Sequence, residues 1–106
     1  MTKKQKEKII SVIEKDATLI GEYVGSTPEK ACVIGGLALA AGVDPKVFYE
    51  DNTGLISKDY YEPVRRKIRG KFGLLKTQLG HLQMINDNAD SVGIRRRKLI
   101  AYIKSL

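Results

Sequence analysis

The chain has no tryptophan, one cysteine (Cys32), one histidine (His81) and three prolines in 106 residues. One cysteine cannot close an internal disulfide, so a packed core alone must hold the fold, and the redox argument points to the cytoplasm. One Cys and one His without CxxC or HxxxH spacing cannot assemble a zinc set, so no metal is expected. Ten glycines are present, yet none belongs to a Gly-x-x-x-x-Gly-Lys-Ser/Thr loop or to a strand followed by GxGxxG, and no cofactor is expected. The longest apolar run, Ala31 to Val43, falls short of the roughly 20 residues that cross a bilayer. The basic start Met1-Thr2-Lys3-Lys4-Gln5-Lys6 is not followed by a signal-peptide apolar region, because Ser11 interrupts Ile9 to Ile13 and Glu14-Lys15-Asp16 ends the run. No linker, repeat or low-complexity tract divides the sequence. These absences predict a single helical domain over residues 1–106, cytoplasmic and without a membrane partner. A chain of this length buries about two-thirds of its unfolded surface.

What the chain has in excess is positive charge, unevenly placed. Its formal net charge is +7. Residues 1–15 carry five Lys against two acids, and residues 16–57 two Lys against six acids. Residues 58–76 carry seven Lys/Arg against two acids, and residues 77–106 five against two. An acidic middle followed by a basic second half is one signature of polyanion binding.

Apolar spacing of three and four predicts helices throughout. Ile9, Ile13, Ala17, Ile20 and Val24 mark the first, from Thr2 or Lys3 to Asp16, with its continuation past Leu19 left open. Ser26-Thr27-Pro28 reads as the start of a second helix, with a hydroxyl cap and proline at the first helical position, and Gly42 as its stop. Asp44-Pro45 begins a short helix, Lys46 to about Glu50, and Asp51-Asn52-Thr53-Gly54 is the strongest turn signal. Ser57 can cap a helix carrying Tyr61, Val64, Ile68 and Phe72, in which Pro63 forces either a kink or a start near Glu62. Gly73 breaks that helix before Leu74-Leu75, Leu79, Leu82 and Ile85. Asn86-Asp87-Asn88 reads as a loop, and Asp90 or Ser91 caps a last helix with Val92, Leu99, Ile100, Ile103 and Leu106 inward. The fold class is all-α: a compact bundle of five or six short helices, with room for one short extended segment near Tyr23 or Leu55-Ile56.

Three constellations bear on chemistry. Cys32, placed in the first turn of the second helix, with His81 as base and Asn86 or Asp87 as orienter, supplies the parts of a cysteine hydrolase. Cys32 stands beside Val33 and Ile34, however, and a small buried hydrophobe is the simpler reading. The balance is against an enzyme. Gly35-Gly36, with Ala38, Ala40 and Ala41, suits close helix packing, the other reading being a cleft for a nucleotide in a decoy protein. The basic runs Arg65-Arg66-Lys67-Ile68-Arg69-Gly70-Lys71 and Arg95-Arg96-Arg97-Lys98 are the functional candidates, with Tyr60 and Tyr61 near the first. Arg96 lies about 20° from Ile103 and about 40° from Ile100 around a helix, on the inward stripe. It is therefore expected to pair with Asp87 or Asp90. Arg97 and Lys104 point outward. The candidate binding residues are Arg65, Arg66, Arg69, Lys71 and Arg97.

Cys32-Val-Ile-Gly-Gly-Leu, Gly42, Ile85-Asn86-Asp87, Arg95-Arg96 and the closing Tyr102-Ile103-Lys104-Ser105-Leu106 together resemble small uncharacterised proteins of bacteriophages and mobile elements. Gly93 departs from that pattern. The resemblance implies a phage-type accessory protein in the host cytoplasm and transfers no catalytic residue. The function expected from the chain is binding of a polyanion or host macromolecule, nucleic acid or host protein, through its basic second half.

Overall fold

The computed structural model describes residues 1–18, 31–49 and 60–106. Their six helices are α1 (Lys3–Lys15), α2 (Val33–Ala40), α3 (Lys46–Tyr49), α4 (Tyr61–Phe72), α5 (Lys76–Asn88) and α6 (Val92–Ser105). No sheet forms among the described residues, and the all-α reading holds. Leu19 to Lys30 and Glu50 to Asp59 lie outside them, which takes in Ile20 and Val24, the Ser26-Thr27-Pro28 signal, the Asp51–Gly54 turn, the Ser57 cap and both candidate extended pieces.

The organising element is α2. Its sequence Val33-Ile-Gly-Gly-Leu-Ala-Leu-Ala40 carries no charge, and Val33 to Ala38 are all buried. A helix apolar all round must be enclosed. It packs against α1, α4 and α5, while α6 closes the bundle by packing on α1 and α5. Ile9 and Ile13 of α1, Val64, Ile68 and Phe72 of α4, Leu79 and Leu82 of α5, and Leu99 and Ile103 of α6 join its buried residues in one core.

Local chemistry sets the ends of these helices. Thr2 and Gln5 form a reciprocal capping box at α1, with bonds of 3.1 Å and 2.9 Å. Asp44 accepts from the Lys46 N–H at 3.0 Å. Ser91 accepts from the Ile94 N–H at 3.3 Å, which makes it the cap of α6. Pro63 is the third residue of α4, inside the first turn, where the missing N–H would have had no helical partner, so α4 can start at Tyr61 and run through it. Gly73 ends α4 at φ +66, its N–H bonded to the Arg69 carbonyl.

Two boundaries differ from expectation. The second helix does not begin near Pro28: Ala31 and Cys32 are non-helical, and Thr18 N–H bonds Ala31 O at 3.0 Å. Cys32 becomes the N-cap of α2, its sulfur accepting from the Gly35 N–H at 3.3 Å. The second difference is Asn86-Asp87-Asn88, which is not a loop but the last part of α5. Polar composition suggested a break there. Tertiary contact overrides it, because the buried Asn86 accepts the Val33 N–H at 3.1 Å and so satisfies a second free amide of the enclosed α2.

Candidate binding surface

The α4 stripe Val64, Ile68, Phe72 faces the core and leaves the intervening cations outside. Arg65, Arg66 and Arg69 fall within about 100° of one another around the helix. On the flank towards α5, Arg65 Nη1 donates to Gln83 Oε1 at 3.0 Å, and its guanidinium carbon lies 4.9 Å from the centroid of the Tyr61 ring. The guanidinium is thus held by one hydrogen bond and one cation–π contact. Arg66 is exposed, Arg69 half-buried with an enclosed Nε that has no hydrogen-bond partner among the described residues, and Tyr60 and Tyr61 are exposed. Tyr60 also lines an open cleft with Asp44, Lys46, Val47 and Tyr49. Arginine forks beside exposed aromatic rings can meet phosphates and stack on bases.

The other two expected binding residues are elsewhere. Lys71 lies about 120–160° around α4 from the three arginines, on the flank towards α1, where it borders a groove with Lys8 and Phe72. Arg97 is on the solvent side of α6, a helix that packs on α1 and α5. The five residues therefore divide into one cluster of three and two separate positions.

The groove beside Lys71 runs between α1, α2 and α4. One part is lined by Lys8, Ser11, Val12, Ala40, Lys71 and Phe72, and the part adjoining it adds Lys15, Asp16, Gly36 and Leu39. Sequence reasoning passed over the lysines of α1. Their signal is the spacing of Lys4, Lys8, Ser11 and Lys15, which puts all four within about 60° on one face.

Two further observations bear on the glycine pair and on Cys32. The space beside Gly36 is occupied by Asp16, whose Oδ2 would stand 2.7 Å from an added Cβ. Close packing thus explains that glycine, and a carboxylate there opposes a nucleotide phosphate. Burial pushes the Cys32 thiol up to about 11, outweighing the Gly35 and Ile34 amides that point at the sulfur. The thiolate a nucleophile requires is disfavoured. His81 is exposed, with Nδ1 3.2 Å from the Tyr102 hydroxyl and its ring edge-on to Tyr102 at 5.6 Å. It lies about 140° around α5 from Asn86, the residue that meets the Cys32 end of α2. Among the described residues no three His, Cys, Asp or Glu side chains come together as a metal site, and no helix is long and apolar enough to cross a membrane.

The expected pairing of Arg96 with Asp87 or Asp90 is replaced by a different anchor. Arg96 is half-buried and donates from Nε and Nη2 to the Asp16 carbonyl at 3.2 Å and 3.1 Å, and from Nη2 to Lys15 O at 3.4 Å. Arg95, not Arg96, is the buried arginine, 3 % exposed, and its Nη1 donates to Ala17 O at 2.9 Å. Leu99 and Ile103 are the innermost residues of α6, so Arg95 and Arg96 flank the stripe on either side. Arg96 reaches the carbonyls of Lys15 and of the C-cap Asp16, where helix carbonyls lack partners and the dipole favours cations, and Arg95 reaches the Ala17 carbonyl just beyond that end. Asp87 and Asp90 are exposed on the surface. The contact also holds Ala17, which has a left-handed φ of +61 without being glycine.

No protein-family model, curated protein or solved structure matches this chain.

Proposed function

We propose that this is a non-catalytic, cytoplasmic binding protein whose α4 face takes a single strand of nucleic acid. Phosphates meet Arg65, Arg66 and Arg69, and bases stack against Tyr60 and Tyr61. The observation that carries the reading is Arg65, held between Gln83 and the Tyr61 ring beside two further guanidiniums on one face. A fixed guanidinium loses less freedom on binding, and an exposed aromatic ring stacks with any base. The reading suits an accessory protein of the phage type the sequence resembles, which would meet nucleic acid in its host.

Fluorescence anisotropy with a labelled oligothymidylate of about 12 nucleotides tests it. Three phosphate contacts predict a slope of about −2 in log K against log salt, and Arg66→Ala should make the slope shallower by roughly 0.7. Tyr61→Ala should weaken binding by about 1–3 kcal/mol, through lost stacking and a freed Arg65. Absence of binding at low salt, or a slope untouched by Arg66→Ala, overturns the reading.

A further inference from the structure

The groove between α1, α2 and α4 lies on the other flank of α4 and plays no part in the strand site. Its floor is apolar: Val12 and Leu39 are half-buried and Ala40 is exposed. Ala40 is the exposed end of a helix otherwise enclosed in the core, so this is where α2 reaches the surface. Lys8 and Lys71 stand at one part of the groove and Lys15 at the other. No carboxylate pairs with Lys8 or Lys71 among the described residues. The remaining feature is Asp16 at the groove's end, 7 % exposed.

We propose that this groove docks an acidic amphipathic helix of a partner protein, its apolar side chains on Val12, Leu39 and Ala40 and its carboxylates on Lys8, Lys15 and Lys71. Charge complementarity selects the sign of the partner, and the apolar floor selects its class. A helix presents apolar and acidic side chains together at three- and four-residue spacing, which matches a floor bordered by cations. It can also bring a side-chain amide or hydroxyl to the Asp16 carboxylate at the groove's end. A phosphodiester strand would satisfy the lysines alone, cover the floor with polar backbone and set phosphate against Asp16.

The test uses the full chain and a fluorescein-labelled synthetic peptide of about 18 residues, with Leu and Glu on one helical face in the i, i+3, i+4, i+7 pattern. A scrambled peptide of the same composition is the comparison. The expected result is that the amphipathic peptide binds at least about tenfold tighter than the scramble. Ala40→Glu and Lys8→Glu should each weaken it by about tenfold, while Arg66→Ala leaves it unchanged. Amide chemical-shift changes should centre on Val12, Leu39 and Ala40. Lys8→Glu, on the exposed side of α1, carries the test if Ala40→Glu disturbs the fold. Equal binding of both peptides, or none, overturns the proposal. So does displacement of the peptide by oligothymidylate, which would make the groove part of a nucleic-acid surface. Because Arg66→Ala separates the two faces, failure here leaves the strand reading standing, and the converse holds.

Discussion

Two arginine runs of similar composition, Arg65-Arg66 in α4 and Arg95-Arg96 in α6, have opposite roles. In α6 the side chains turn inward and close the carbonyl end of α1, 78 to 81 residues away in sequence. In α4 one arginine is braced by a surface glutamine and a tyrosine, and its neighbour is left to solvent. The difference does not lie in the runs. It lies in what stands opposite each helix: α6 faces a helix terminus with unsatisfied carbonyls, whereas the α4 arginines face outward and sideways. Glycine repeats the contrast. Gly36 is filled from outside by Asp16, while among the described residues nothing lies within 4 Å of a Cβ placed on Gly93 or Gly70.

The contrast is broken most severely at Arg95. Arg95→Ala removes a buried guanidinium and strands the Ala17 carbonyl, and should lower the unfolding free energy by about 3 kcal/mol. Arg96→Ala, half-buried, should cost about 1–2 kcal/mol. Arg97→Ala should leave the urea midpoint essentially where it is. A ranking with Arg97 equal to Arg95 would dissolve the distinction between inward and displayed arginines.

Gly36→Ala comes next, because its methyl must displace Asp16 in a packed interior; overpacking of this kind costs about 1–3 kcal/mol. In an Asp16→Ala background the same substitution should cost less, with a coupling of at least about 0.5 kcal/mol in the double-mutant cycle. Additive losses would show that Asp16 is not what fills the glycine.

Asp16 also sharpens the comparison through pH. Burial raises its carboxyl above the ordinary 3.8, Lys15 and Arg96 pulling it back in part. A raised value means that the folded state binds the proton more tightly than the unfolded chain does. The associated stability is complete below the ordinary value and is lost as pH rises through the folded one. Asp16→Asn should therefore raise the urea midpoint at neutral pH and not at acid pH. An equal effect at both would show that the carboxylate is not penalised by burial. The smallest change is Gly93→Ala, on the exposed side of α6, which should stabilise by about 0.5–1 kcal/mol through helix propensity. A loss there would place an unseen neighbour against the first turn of α6.

Much of the fold was legible because its signals are local. The spacing of Ile9 and Ile13, of Val64, Ile68 and Phe72, and of Leu99 and Ile103 specifies a face by itself. Thr2, Asp44 and Ser91 bond amides two or three residues on, and Gly42 and Gly73 adopt φ of +88 and +66 where their helices end. The grouping of Arg65, Arg66 and Arg69 on one side of a helix follows from the same periodicity, as does the outward Arg97. The lysine spacing of α1 was equally local, although its meaning depended on Lys71 standing across from it.

What the chain could not announce depends on who meets whom. Cys32 serves as a cap because Ala31 bonds back to Thr18, which keeps the helix from starting sooner. Asn86 stays helical and buried because Val33 offers an unpaired amide in the core. Lys71 leaves the arginines and joins Lys8 because α1 packs on the flank of α4 away from the Arg65–Gln83 bond. Arg95 and Arg96 reach the end of α1, not Asp87 or Asp90, because an exposed carboxylate can be satisfied by water. The enclosed Ala17 carbonyl cannot. Sequence alone determined the periods and caps, since these are bonds and contacts within a few residues. Only tertiary structure decided the destinations of polar groups, because satisfying a buried donor or acceptor is a constraint between segments distant in sequence.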